Sequence, residues 1–230
     1  MPPDNRSLYG KGLKTAKRQR LQAGIDDLGI ESSPQQVDSL LLYLEMLERW
    51  NKAYNLTAIR DPLQMIDLHF LDSLAVLPFI DKSINIIDVG TGPGLPGIPL
   101  AIMCPDKTFT LLDSNGKKTR FLFQAISELK LANVVEVNAR VEEFQPQKLF
   151  DTVLSRAFSS IPDMLANCSH LISELGDFMA MKGKIPESEL SQLDKNYKVS
   201  DLCRLKVPGV EGERHLIKIN KTNRSPGLNL

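Results

Sequence analysis

Two acids bracket a turn of glycines in this 230-residue chain. Asp88 ends one apolar run, Gly90, Gly92, Gly94 and Gly97 follow it, and Asp113 closes the next apolar run. Read from Gly92, the string G-P-G-L-P-G fits the GxGxxG pattern, which lays a dinucleotide pyrophosphate on backbone N–H groups at a helix start. Pro93, Pro96 and Pro99 strip donors from that same segment, so the cradle is short of N–H groups. A carboxylate at Asp88, two residues before Gly90, repels a diphosphate and favours an ammonium or a sulfonium. Asp113 stands 19 residues past Gly94 (113 minus 94), where a carboxylate can accept both hydroxyls of a ribose. Acid, glycine turn and second acid describe a nucleoside site with no phosphate pocket, which suits S-adenosylmethionine, a ligand with both cations and no phosphate. The plainer alternative is a glycine-rich turn beside two exposed aspartates.

Other chemistry is sparse. Cys104, Cys168 and Cys203 lie far apart, so neither a CxxC zinc site nor a disulfide framework is supported, and no metal is expected. His69 and Asp72 are three apart and can share a helix face; a structural hydrogen bond tying a helical layer to a sheet fits them better than a metal site. Arg156 carries a planar fork suited to a carboxylate or a phosphate, with a surface ion pair as its plain alternative. Trp50 lies on an apolar helix face and reads as core. His215 reads as structural.

These residues must be held by elements of two kinds. In "SSPQQVDSLLLYLEMLERWNKAYNLT" Val37, Leu40, Leu41, Leu44, Leu47 and Trp50 recur at three-and-four spacing, which predicts an amphipathic helix. Ser33, Pro34 and Gln36 supply its cap, first turn and capping box. "PLQMIDLHFLDSLAVLPFI" predicts more helix, ending near Pro78. Beyond it, the short apolar runs "INIIDV", "FTLLD", "NVVEV", "DTVLS" and "GDFMAM" alternate with helix-length segments, "GKKTRFLFQAISELKL" and "IPDMLANCSHLISEL" among them. That alternation predicts a mostly parallel sheet covered on both faces. "VSDLCRLKVPG" and "ERHLIKI" add a terminal antiparallel hairpin, and the glycine turn falls where ligands of open α/β sheets collect.

The chain carries 28 basic and 28 acidic residues, but residues 1–20 hold six cations against Asp4 alone. That arm is too polar to pack, and it reads as a disordered, solvated segment or a polyanion contact. No apolar run is long enough for a membrane span and no signal peptide is evident, so a cytoplasmic protein with no membrane partner is expected.

The strings "WNKAYNLT", "HFLDS", "IDVGTGPGLPGIPLAI", "FTLLDS", "RVEEF", "SRAF", "MKG" and "GERHL", in that order, resemble the bacterial small-subunit rRNA guanine-N7 methyltransferase family, GidB or RsmG, over about residues 35–220. The resemblance implies a class I S-adenosylmethionine-dependent methyltransferase fold: α/β, Rossmann-like, with a mostly parallel seven-stranded sheet, a C-terminal antiparallel hairpin and an N-terminal helical layer. Domain limits are expected as a basic arm over 1–20, a helical layer over 21–82, the methyltransferase domain over 83–222 and a tail over 223–230. It further implies S-adenosylmethionine as donor, S-adenosylhomocysteine as product, and a guanine at position 527 of 16S rRNA as acceptor. The partner is then 16S rRNA, within a small ribosomal subunit or its precursor, and a monomer is the favoured state.

Carried over residue by residue, the donor contacts implied by the resemblance fall on Gly90, Leu95, Val141, Glu142 and Arg156. They join Asp88, Asp113, Gly92 and Gly94, whose missing Cβ atoms allow close approach. Asn51, Lys52, Tyr54, Asn55, Arg60, His69, Asp72 and Ser73 belong to the matching strings of the helical layer. Of these, Asn51, Tyr54, Asn55, Arg60 and His69 are candidates for RNA contact. Lys117, Lys118, Arg120 and Lys182 are further candidates, with a solvated charged face as the equal alternative for the first three. Guanine N7 presents an unshared pair, so proximity and alignment are the main requirement and no obligatory general base is expected. Two other classes stay open: an NAD(P)-dependent oxidoreductase, and a non-catalytic RNA-binding module with a nucleoside pocket.

Overall fold

A computed structural model describes residues 5–156, 158 and 160–223, with side chains from residue 12 onward. Helix α1 spans Asn5–Asp27 and α2 spans Pro34–Tyr54. The start of α2 is the capping box the sequence predicts: Gln36 N donates to Ser33 Oγ at 3.2 Å, and Ser33 N donates to Gln36 Oε1 at 2.9 Å. Asn55, in the left-handed region at φ 50°, ends it. Val37, Leu40, Leu44 and Leu47 are fully buried, while Trp50 is half-buried against Phe121 at 5.5 Å.

Residues 12–20 correct the expectation of an unpacked arm. They continue α1, and their cations meet an acidic face: Lys17 Nζ is 2.5 Å from Glu48, Lys14 Nζ is 3.5 Å from Glu45, and Arg18 pairs with Asp38. Arg20 donates twice to Asp67, at 2.8 and 2.9 Å. Leu21 and Ile25 of the same helix are fully buried. Polarity alone did not reveal that α2 offers matching acids. Residues 1–4, and the tail from 224, lie outside the described residues.

The second helical stretch runs as α3 (Pro62–Met65), a π-helical segment Ile66–Leu71 and α4 (Asp72–Leu74). Such segments recur at functional sites because they re-aim side chains within a helix. The sheet then forms from β1 (Asn85–Val89), β2 (Thr108–Asp113), β3 (Val134–Asn138), β4 (Phe150–Ser155), β5 (Ile172–Lys182), β6 (Tyr197–Arg204) and β7 (His215–Lys221). Its order is β3-β2-β1-β4-β5-β7-β6, with β7 antiparallel to both neighbours and the other pairings parallel. Between strands lie α5 (Gly97–Met103), α6 (Gly116–Leu129), α7 (Ile161–Cys168) and α8 (Glu187–Leu190).

Strand residues alternate between two layers, as the pleat requires. Ile86 joins a core with α2, α6 and the π-helical segment; Ile87 and Val89 join one with α7. The first core runs from Leu21 to Leu216, so the helical layer and the sheet are packed as one body.

One element departs from expectation. "IPDMLANCSHLISEL" is helical only to Cys168, and its last residues begin β5. Gly176 permits this: a Cβ there would lie 2.9 Å from the Asp151 carbonyl and 3.0 Å from that of Phe150, where the β4–β5 register shifts. Among the described residues, no helix is long and apolar enough to cross a membrane.

Candidate functional site

Two clefts open at the carboxyl ends of the strands. The first, about 330 Å³, is lined by Val89, Gly90, Leu112, Asp113, Ser114, Lys118, Arg140, Val141, Glu142 and Phe158, among others. It thus unites Gly90, Asp113, Val141 and Glu142 of the expected donor contacts.

Gly90 brings the glycine loop to this cleft, and the loop's backbone N–H groups are all engaged. Gly90 N and Thr91 N donate to Leu112 O, Gly92 N donates to Asp113 Oδ2, Gly94 N and Leu95 N donate to Thr91 O, Gly97 N donates to Asp88 Oδ2, and Ile98 N donates to Gly94 O. Pro93 and Pro96 have no N–H to give. From Gly90 to Ile98, therefore, every backbone donor already has an acceptor inside the protein. Positive φ angles of 69°, 63° and 103° at Gly90, Gly92 and Gly94 make this wrapping possible.

The glycines differ in why they are glycine. A Cβ on Gly92 would meet nothing within 4 Å, so this position keeps open space. A Cβ on Gly94 would lie 2.6 Å from Ile98 and 3.0 Å from Leu122; one on Gly97 would overlap Leu111. Gly94 therefore serves internal packing, a correction to its expected role of admitting a ligand. Leu95 is likewise buried and outside the lining of the cleft.

The two acids divide in the same way. Asp113 lines the cleft and accepts from Gly92 N at 2.9 Å on Oδ2 and from Asn115 N at 2.8 Å on Oδ1, leaving a lone-pair direction on each oxygen. Lys118 Nζ stands 3.5 Å from it. Asp88 is fully buried behind the loop instead of facing the cleft, which corrects the expectation of direct ligand contact. Its Oδ2 accepts from Thr91 Oγ1 at 2.6 Å and from Gly97 N at 2.8 Å, while Oδ1 has no hydrogen-bond partner among the described residues. Burial raises its pKa to about 6 against those two hydrogen bonds.

The second cleft, about 390 Å³, lies between the π-helical segment and the ends of β4, β5 and β7. Arg156, Asp72, His69, Lys182, Arg214 and His215 line it. Arg156 is thus drawn away from the first cleft, to which the resemblance assigned it. Its Nη1 donates to Asp72 Oδ2 at 3.1 Å and to Leu68 O at 3.4 Å. Arg214 Nε donates to the other Asp72 oxygen at 3.2 Å. Phe158, two residues past Arg156, lines the first cleft, so the chain after β4 has a residue in each.

Of the His69–Asp72 pair only Asp72 ties the helical layer to the sheet, through Arg156 and Arg214, while both His69 partners lie within the helical layer. His69 Nε2 lies 2.7 Å from Thr57 Oγ1 and Nδ1 lies 3.2 Å from Leu68 O; burial, and then the Arg156 charge, lower its pKa to about 4. His215 Nδ1 meets Gly183 O at 2.9 Å. Lys182 Nζ donates to Phe158 O at 3.3 Å and pairs with Glu189 at 3.3 Å.

Among the RNA candidates, Asn51 is corrected: its buried amide donates to Ile59 O and accepts from Thr57 N, closing the loop after α2. Tyr54, Asn55, Arg60, Lys117 and Arg120 are exposed, and Tyr54 leans on Trp50 at 5.1 Å. Ser114, Arg140, Phe158 and Arg214 were not singled out from the sequence. Arg214 sits in "GERHL" beside His215, and its position before the last strand was the available signal. Among the described residues, no group of three or more His, Cys, Asp or Glu could hold a metal.

Comparison with known proteins agrees with this geometry. The family described as GidB, rRNA small subunit methyltransferase G, matches residues 36–217. "Ribosomal RNA small subunit methyltransferase G" of Photobacterium profundum is 52% identical over 200 residues, covering 87% of this chain and 97% of that protein. Its Escherichia coli O17:K52:H18 counterpart is 50% identical over 205 residues, covering 89% and 98%. In fold, the chain is similar to the N-methyltransferase NodS of Bradyrhizobium japonicum, solved with S-adenosylhomocysteine (TM-score 0.54, 12% identity, 78% of this chain and 98% of that one). It is also similar to a SAM-dependent methyltransferase of Aquifex aeolicus (TM-score 0.53, 17% identity, 69% and 93%). Sequence and fold together show that the chain belongs to the GidB family, rRNA small subunit methyltransferase G, and carries the class I S-adenosylmethionine-dependent methyltransferase fold.

Proposed function

We propose that the protein transfers a methyl group from S-adenosylmethionine to N7 of a guanine in 16S rRNA, the one at position 527 by family resemblance, within a small ribosomal subunit or its precursor. One observation carries the choice of donor: from Gly90 to Ile98 every backbone N–H is already donated to the protein, so the loop has none for a diphosphate. This disfavours an NAD(P)-dependent oxidoreductase.

The residues of the first cleft fit such a nucleoside. Asp113 offers its remaining lone pairs to ribose hydroxyls, Val141 offers an apolar face to the base, and Gly90, with no Cβ, lets the methionine part approach the backbone. Glu142, exposed at the rim, faces the edge of the base. Bound S-adenosylmethionine supplies a methyl carbon on a sulfonium, whose C–S bonding pair stays with sulfur on transfer and leaves neutral S-adenosylhomocysteine.

The second cleft receives the acceptor base, next to the first across Arg156 and Phe158. The chain's task there is positioning, because the guanine N7 pair attacks without losing a proton. Two titratable groups of this cleft are committed to other contacts. Both His69 nitrogens are engaged, and Asp72 is held between two guanidinium groups. Exposed Tyr54, Arg60, Lys117 and Arg120 are placed to meet RNA around the clefts. The chain's balance of 28 cations and 28 anions argues for a structured subunit over free RNA, since nonspecific affinity rests on excess positive charge. The protein then acts as a monomer in the cytoplasm.

The test is incubation with labelled donor and either small subunits from cells lacking the protein or naked 16S rRNA, followed by mapping of the methylated nucleotide. Calorimetry with S-adenosylmethionine, S-adenosylhomocysteine and NADH accompanies it. Donor uptake with label on one guanine N7 is expected. Tight NADH uptake without donor uptake overturns the reading, and donor uptake without transfer leaves an RNA-binding module with a nucleoside pocket.

A further inference from the structure

Three charged groups of the second cleft come from segments far apart in the chain and form one cluster. Asp72, its side chain 4% exposed, holds Arg156 on one oxygen and Arg214 on the other. Two guanidinium groups on one carboxylate leave the cluster one unit positive. Without the carboxylate they would repel each other. Arg156 Nε and Nη2 and Arg214 Nη2 make no hydrogen bond among the described residues, although both side chains line the cleft. Both side chains are partly exposed in the cleft, so these N–H groups are held by Asp72 yet open to a ligand that carries acceptors.

We propose that Asp72 is a positioning residue that selects guanine, by fixing Arg156 and Arg214 so that their remaining N–H groups meet O6. The assignment rests on the function proposed above. O6 is a double acceptor where adenine carries an amino donor, so cationic donors accept one purine and reject the other. A contact on O6 also leaves the neighbouring N7 pair free to react. A flexible lysine would bind as a point charge and not fix this edge, whereas a guanidinium pinned through one N–H keeps its plane.

The experiment uses the full chain and reconstituted small subunits carrying either guanine or 2-aminopurine, which keeps N7 and lacks O6, at the target position. Wild-type protein is expected to prefer guanine by roughly 10- to 100-fold in kcat/KM. Asp72→Asn is expected to cut that preference to within about threefold and raise the acceptor KM about tenfold, with donor affinity unchanged. Arg214→Lys, at a half-exposed site, is expected to show the same loss and keeps the test alive where Asp72→Asn fails to fold. An unchanged guanine preference in a folded, donor-binding variant overturns the proposal. Wild-type protein that binds donor but methylates neither subunit overturns the proposed function instead.

Discussion

The glycine loop that brings Gly90 to the first cleft is held by its own backbone N–H groups, whereas the cleft at Asp72 is held by side chains whose partners lie 84 and 142 residues away. The first is held by backbone hydrogen bonds within the turn and to the end of the neighbouring strand β2. The second is held by charge, and its shape exists only once the helical layer has docked on the sheet. A local device of this kind can be written as a motif. A long-range one cannot.

The comparison is broken most severely within the loop itself. Gly94→Ala puts a Cβ 2.6 Å from Ile98 on a residue at φ 103°, so strain and overpacking add. A loss of about 3 kcal/mol or more is expected in denaturant unfolding, with donor binding abolished. Gly92→Ala meets open space and only the left-handed penalty, so stability falls by about 1 kcal/mol. Calorimetry should nevertheless show donor affinity down by about tenfold or more, because the new methyl takes up the open space two residues from the cleft-lining Gly90. If both variants lose stability equally, the distinction between a packing glycine and a clearance glycine is wrong.

Titration sharpens the contrast, since each cleft has one buried group displaced in the opposite sense. Asp88, raised to about 6 by burial, favours the folded state when protonated, and that stability is lost as pH rises from its unfolded value near 3.8 to about 6. His69, lowered to about 4 by burial and Arg156, favours the folded state when neutral, and that stability is lost as pH falls from 6.5 to about 4. Between pH 4 and 6 the two slopes oppose and nearly cancel in the wild type. Asp88→Asn should unmask a rise in stability of up to about 1.4 kcal/mol per pH unit, and His69→Asn a fall of similar size. Parallel stability–pH curves for the two variants would contradict both assignments.

The smallest effect is expected at α1. Lys14 and Arg18 are exposed and paired to α2, so replacing both with alanine should shift stability by no more than about 0.5 kcal/mol. The salt dependence of subunit binding should be the same as in the wild type. A shallower slope would restore these cations to the RNA-facing surface.

Much of the fold was legible in the sequence because apolar period and turn chemistry agree, as at Ser33–Gln36 and in the five strand runs through β5. The C-terminal hairpin was legible in its two strands, though not in β7 entering between β5 and β6. Cleft-lining Gly90, Asp113, Val141 and Glu142 were legible because they belong to contiguous strings. What failed did so for one physical reason: a side chain's partner is invisible until the chain has folded. Arg156 went to Asp72, Asn51 to its own loop, and Lys14, Lys17, Arg18 and Arg20 to acids on other helices. Asp88 was recognised as necessary to the turn region but placed on its wrong side. Its hydrogen bonds to Thr91 and Gly97 make it the brace beneath the loop.

The saturated backbone from Gly90 to Ile98 has a consequence in the crowded interior of a cell. Phosphorylated nucleotides share the adenosine half of the proposed donor and are abundant, so a pocket with a spare amide there would be occupied by the wrong molecule for much of its life. By lending no amide, the turn gives such competitors no reward for their extra charge. Against such competitors the turn works by what it withholds.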